Sequence, residues 1–259
     1  MPSTINAAAI AVVAISVVGR SGTGTARENS LGMKFVPVPG TEALFCVWET
    51  RNRDFRAFKA DHDSGSFENH SLNGDEQPVV NVSWDDAKAF CDWLTRTERQ
   101  KGLIGPAQSY RLPMEWEWSV AVGLNKGKGG TSKDEGEKTA ADYPWGREWP
   151  PPKGAGNYSG SESAWSSARM KCYRDNHAVT APVGSYEPNR LGLFDLGGNV
   201  WEWCEDWYDS SKQSRVLRGG SWGSTGPGYY MLSSSRGLGR LGERGSFGGF
   251  RVVLSSSSP

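Results

Sequence analysis

The chain has no excess of charge of either sign. Its 259 residues include 29 acidic and 29 basic side chains, for a formal net charge of zero. That balance gives no electrostatic reason to expect a nucleic-acid or membrane-surface partner. Cysteine is scarce: Cys46, Cys91, Cys172 and Cys204 are widely spaced, form no Cys-x-x-Cys pair and are too few for a disulfide scaffold. The expected role is that of buried small hydrophobes, with disulfides left open. Histidine is scarcer still, limited to His62, His70 and His177. Residues 7–18 (AAAIAVVAISVV) are apolar, but a membrane-spanning helix needs roughly 20 such positions, so no span is expected. The stretch has the length of a signal-peptide core, yet no Lys or Arg precedes it. A β-rich packing segment and the remnant of a longer parent protein are the alternatives.

Glycine and tryptophan, by contrast, are abundant, at 33 and 12. Many glycines with few periodic apolar runs predict an irregular, loop-rich fold pinned by aromatics. The length fits one domain, or a domain with a tail. Residues 1–28 read as the apolar segment and a polar linker, 29–254 as the folded domain, and 255–259 as a disordered tail. Residues 29–40 alternate into a strand closed by Pro39-Gly40, and Phe45 to Trp48 form a second short strand. Asn52 to Ala60 is a candidate helix with Phe55 and Phe58 on one face. The clearest helix opens at a Ser83 cap and carries Ala87, Phe90, Cys91 and Leu94 at i, i+3, i+4, i+7 spacing towards an end near Gly102. Another is expected from Pro113, with Trp116 and Val120 facing the core. Residues 123–141 read as a solvated, charged insertion.

The C-terminal region is the most informative. Arg-Gly-Gly-Ser-Trp (218–222) and Gly-Phe-Arg (249–251) enclose residues 223–248, in which eight positions are Gly and five are Ser. That segment has no Lys, His, Asp or Cys, residues that commonly supply the base, nucleophile or metal ligand of a catalytic segment. It offers hydroxyls, three arginines, one Glu and the Tyr229-Tyr230 pair, which suit a recognition surface where Tyr supplies contact area and Ser and Gly adapt. Composition alone favours a plain Gly-rich surface loop.

Eight segments occur in an order that decides more. They are 29–37 (NSLGMKFVP), 78–87 (PVVNVSWDDA), 110–118 (YRLPMEWEW), 143–146 (YPWG), 181–186 (APVGSY), 192–203 (GLFDLGGNVWEW), 218–222 (RGGSW) and 249–251 (GFR). In this the chain resembles the formylglycine-generating enzyme, or sulfatase-modifying factor, family. The resemblance implies an α+β, C-type-lectin-like fold with short strands and few helices. The family's enzymes oxidise a substrate cysteine with two active-site cysteines and copper, but the matching positions here hold Ser224 and Tyr229. The related sulfoxide-forming branch holds iron on several histidines, an arrangement these three do not reproduce. No catalytic residue, copper or iron is therefore expected.

The pattern fits a third branch better: the ligand-binding variable proteins of diversity-generating retroelements, which end in Arg-Gly-Gly-Ser-Trp, a variable stretch and Gly-Phe-Arg. Adenine-directed mutagenesis of AAC codons cannot reach Lys, Gln, Glu, Met or Trp, and between 223 and 248 only Met231 and Glu243 fall outside the reachable set. The resemblance thus implies a variable region over 218–253 and a non-enzymatic binding surface for an unknown ligand, a protein or other macromolecule. Its positions would be Gly223, Ser224, Thr225, Gly226, Gly228, Tyr229, Tyr230, Ser235, Gly237, Leu238, Gly239, Arg240, Leu241, Gly245, Ser246 and Phe247, with Tyr229, Tyr230, Leu238 and Phe247 as apolar anchors. An oxidase with an altered centre and a module of a larger signalling protein are the alternatives.

The resemblance also implies calcium. One family site maps to Asp195 and Glu202 with the Gly198 and Val200 carbonyls, hard-oxygen ligands that a simple tight turn would equally explain. A second maps to Asn157, the Tyr158 carbonyl, Asp175 and the His177 carbonyl, where an ordinary polar loop is the slightly favoured reading. Trp201, Trp203 and Trp222 are expected in the core rather than around a ligand. Arg218, Arg236, Arg244 and Arg251 are expected to tie loops to carboxylates or carbonyls.

Overall fold

The last strand among the described residues, Val253–Ser255, is an inner strand of a five-stranded sheet, hydrogen-bonded to Ala43–Cys46 on one side and Ser109–Arg111 on the other. The computed structural model describes residues 25–124, 142–165, 169–227 and 229–256, and of Tyr229 only the backbone. The 7–18 segment, nearly all of the 123–141 insertion, Gly228 and residues 257–259 lie outside the described residues.

The elements in chain order begin with β1 (Arg27–Glu28), β2 (Lys34–Pro37), β3 (Ala43–Cys46) and helix α1 (Asn52–Arg56). A hairpin of β4 (Ser66–Phe67) and β5 (His70–Ser71) precedes helix α2 (Trp84–Gln100), β6 (Ser109–Arg111) and helix α3 (Glu115–Val122). After a long irregular stretch come β7 (Trp201–Trp207), β8 (Ser214–Arg218), a 3-10 turn at Tyr229–Met231, β9 (Gly237–Arg240), β10 (Gly248–Gly249) and β11 (Val253–Ser255). One sheet has the order β1-β2-β3-β11-β6, a second β10-β7-β8-β9, and β4 and β5 pair by themselves. Short strands and few helices give the expected α+β, loop-rich architecture. Among the described residues no helix is long and apolar enough to cross a membrane.

Ser83 starts α2 as expected. Its hydroxyl accepts the Asp86 N–H at 3.2 Å and the Asp86 carboxylate accepts the Ser83 N–H at 2.9 Å, so two orphan donors are satisfied reciprocally. Ala87, Phe90, Cys91 and Leu94 are all buried, and Gly102, with φ of 69°, ends the run in the left-handed region. Phe90 meets Phe55, Phe58 and Phe250 with ring centroids 5.6–6.1 Å apart. This aromatic knot joins α1, α2 and the C-terminal segment in one core.

Three expectations are corrected. Helix α1 stops at Arg56, where the Phe58 and Lys59 N–H groups both turn back onto the Phe55 carbonyl. Helix α3 begins at Glu115 and buries Trp118, leaving Trp116 and Val120 half-buried. The physical reason is that Glu115 and Glu117 turn inward to meet buried arginines, which rotates the helix away from the face its apolar residues suggest. The folded region also reaches further at both ends than expected: Arg27–Glu28 pair with β2, and Ser255 is a buried member of β11.

Candidate functional site

Two buried ion pairs frame the C-terminal segment. At its start, Arg218 meets Glu115 at 3.3 Å and donates to the Ser233 and Ser234 carbonyls at 2.7 and 3.2 Å. Arg236 meets the same carboxylate through two prongs, at 2.8 and 3.0 Å. Glu115 on α3 therefore pins both β8 and the chain leading into β9. At its end, Arg251 is bound through two prongs to Glu202 on β7, at 2.6 and 2.7 Å, with both side chains fully buried. The exposed Arg244 pairs with Asp86 at 2.7 Å. The arginines tie the segment down, as expected of them.

Between these anchors the backbone makes a sharp excursion. Gly219 and Gly220 are both left-handed, with φ of 96° and 77°, and a Cβ on Gly220 would lie 2.7 Å from the Tyr230 carbonyl. The turn sends Trp222 into the core. Its N–H bonds the Asn199 carbonyl at 2.9 Å and its indole N–H bonds the Ser246 carbonyl at 2.9 Å. The Phe247 carbonyl accepts the Trp201 N–H at 2.8 Å, so β10 runs parallel to β7.

Trp165, Trp201, Ser221, Gly223, Ser224, Thr225, Tyr230 and Phe247 then enclose a hollow of about 320 Å³. Five expected binding positions meet there, joined by Trp165 and Trp201 from outside the segment. Trp203 and Trp222 are core residues, as expected, but Trp201 is half-buried and faces the hollow. Trp165 had no signal in the sequence, because nothing local links residue 165 to residue 247.

The remaining expected positions divide. Tyr230, Leu238 and Leu241 are 61%, 48% and 49% exposed, a degree rare for large apolar side chains in this chain, and Arg240 is exposed beside them. Gly226, Gly237, Gly245 and Ser246 are partly exposed. Ser235 and Gly239 are not display positions: both are buried, and a Cβ on Gly239 would fall 2.0 Å from the Trp203 ring. Gly239 is glycine so that β9 can lie against that indole.

Among the described residues, the hollow's lining contains no carboxylate, histidine, cysteine or cation. The Ser224 hydroxyl accepts the Ser221 N–H at 3.0 Å, and the described lining of the hollow offers no carboxylate or histidine to it as a base. His62 bonds near Ser64, His70 lies on β5 and His177 packs on Tyr186. Cys46, Cys91 and Cys204 are buried, and burial pushes the Cys46 thiol up to about 12 and raises the other two. Only Cys172 is exposed, and all four are free thiols. Nothing in this lining suits copper or iron.

The two calcium sets differ in fit. At the first, both Glu202 oxygens are already taken, one by Arg251 alone and the other by Arg251 and by the Trp118 indole N–H at 2.9 Å. Asp195 accepts the Gly184 N–H at 2.7 Å, and burial raises its carboxyl to about 6. It lines a separate hollow with Trp145 and Tyr186. Glu202 as placed is a partner for arginine, so this set does not fit. At the second, the buried Asn157 Oδ1 has no hydrogen-bond partner, and burial raises the Asp175 carboxyl to about 7. A buried amide oxygen without a partner and a buried carboxyl with a raised pKa are oxygen donors that suit a hard cation. Asp175 also accepts the Tyr158 and His177 N–H groups at 2.9 and 3.0 Å, which gathers these residues in one place.

Glu49 went unnoticed in the sequence. It is fully buried, accepts from the Asn199 amide at 2.6 Å and the Val200 N–H at 3.2 Å, and burial raises it well above the usual carboxylate range, with Asp195 and Glu202 adding to the shift.

Comparison with known proteins places this architecture. The chain is 34% identical over 160 residues to the formylglycine-generating enzyme of Streptomyces coelicolor, covering 56% of this chain and 42% of that one. It is 35% identical over 191 residues to the mouse protein named inactive C-alpha-formylglycine-generating enzyme 2, covering 71% of this chain and 51% of that one. The chain thus spans about half, or less, of the length of these relatives. In fold it is similar to Treponema denticola variable protein 1, with a TM-score of 0.58 and 22% identity over 82% of this chain and 84% of that one. The family described as the sulfatase-modifying factor enzyme 1-like domain matches residues 26–256, and the chain belongs to that family.

Proposed function

We propose that this protein is a non-catalytic binding protein that uses the lectin-like scaffold to present a diversified C-terminal surface to a macromolecular ligand. One observation carries the reading. Buried ion pairs at Arg218 and Arg251 hold both ends of the segment, while the chain between them borders a hollow of aromatic faces and hydroxyls whose described lining holds no carboxylate, cation or thiol. The scaffold is thereby insulated from changes at exposed positions such as Tyr230, Leu238, Arg240 and Leu241. The likeness to a relative named as inactive and to a protein named as variable agrees with this. A supporting calcium ion held by Asn157, the Tyr158 carbonyl, Asp175 and the His177 carbonyl belongs to the same reading.

The test is incubation of the protein with copper, oxygen and a sulfatase-type cysteine peptide, followed by mass spectrometry. No aldehyde is expected, and multiple turnovers would overturn the reading in favour of an oxidase. The diversification itself is tested at the encoding locus, where a reverse transcriptase and a near-copy of the 218–253 coding segment differing at adenines are expected.

A further inference from the structure

The hollow has a deeper part that the chain fills with its own ring. Phe247 stacks on Trp222 with centroids 4.5 Å apart and an interplanar angle of 27°. Trp165 meets it edge-on at 5.2 Å, and Phe67 from the β4–β5 hairpin at 5.9 Å. These three walls come from separate parts of the chain, and none lies within 223–248. The floor is Gly223, where an added Cβ would lie 2.6 Å from the Phe247 ring. The backbone on either side is held by bonds that do not involve the Phe247 side chain, from the Trp222 indole to the Ser246 carbonyl and from the Trp201 N–H to the Phe247 carbonyl.

We infer that residue 247 sets the depth and the ligand class of this site: the well beneath it takes one uncharged aromatic ring, and Phe247 occupies it in place of the ligand. The inference rests on the binding-surface reading above and gives that surface a specificity-determining position. Because the backbone is anchored on both sides, a small residue at 247 leaves an apolar cavity rather than a collapsed loop. Such cavities stay dry and accept small aromatic molecules. Among the described residues the well contains no charge, so a charged ring is disfavoured. Positions 223 and 247 also share one volume, which couples them: a side chain at 223 is tolerated only when 247 is small.

Indole and benzene serve as probes in thermal melts of the full chain, wild type against Phe247→Ala. The variant is expected to melt several degrees higher with either probe, and the wild type to be unmoved. Gly223→Ala is expected to lower the melting temperature of the wild type more than that of Phe247→Ala. A Phe247→Ala protein that retains its near-ultraviolet dichroism, ignores both probes and is harmed equally by Gly223→Ala would overturn the inference. If Phe247→Ala does not fold, Phe247→Leu carries the same coupling test, and equal harm from Gly223→Ala in Phe247→Leu and wild type would overturn it. The probes report on the well alone, so their failure leaves the display reading intact, whereas aldehyde turnover would remove that reading without touching the probe result.

Discussion

Arg251 lies among three buried carboxyl groups and is bound to one of them, Glu202, through both prongs of its guanidinium. The other two, Glu49 and Asp195, are raised first by burial and further by neighbouring carboxylates. Removing one partner of a buried pair leaves the other uncompensated, at a cost of about 3–5 kcal/mol. Arg251→Met and Glu202→Gln are therefore each expected to lower stability by that order, read as a shift in the urea midpoint at unchanged slope. Losses within about 0.5 kcal/mol for both would show that the pair is dispensable.

Anchors and display positions should separate in the same assay. Trp222→Ala and Phe250→Ala truncate buried aromatics and are expected to cost about 3–5 kcal/mol. Leu238→Ser and Leu241→Ser change exposed side chains and should stay within about 0.5 kcal/mol. Equal losses in both sets would make the segment part of the core.

Two glycines in the segment should behave oppositely. Gly239→Ala drives a methyl group into the Trp203 ring and is expected to cost at least about 1–3 kcal/mol. Gly245→Ala meets nothing within 4 Å at a backbone angle open to any residue, and should be nearly neutral. A neutral Gly239→Ala would mean that β9 does not lie against that indole.

Thiol labelling should find one reactive cysteine. Cys172 is exposed, whereas Cys46, Cys91 and Cys204 are buried with raised thiol pKa values. At pH 8 one equivalent of a disulfide reagent is expected to react with the native protein and four with the unfolded chain. Rapid native labelling of two or more cysteines would reopen an oxidase centre.

Calcium is expected to raise the melting temperature through the Asn157 set. A ligand that binds only the folded state adds about 2.7 kcal/mol at a hundredfold excess over Kd. Asn157→Ala should abolish the response, and Glu202→Gln should destabilise the protein without abolishing it. Identical wild-type melts in calcium and in chelator would dismiss the ion and leave Asn157 Oδ1 a plain unsatisfied acceptor.

Much of this protein was legible in the residues themselves. The Ser83 cap and the spacing of Ala87, Phe90, Cys91 and Leu94 specify α2 locally, and the ordered motifs point to the scaffold. Local chemistry suffices there, because a cap and a helical stripe are properties of a few neighbouring residues. Tertiary structure decided the rest. Glu115 gave the sequence only a helix-start signal, yet it clamps Arg218 and Arg236 from more than a hundred positions away. Glu202 resembled a calcium ligand until Arg251 and Trp118 were placed against its oxygens. Phe247 resembled a display anchor until Trp165, Trp222 and Phe67 closed around it. Burial and pairing are set by chain segments that meet only on folding, so the role of a charged or aromatic side chain in a glycine-rich chain is decided by its distant neighbours.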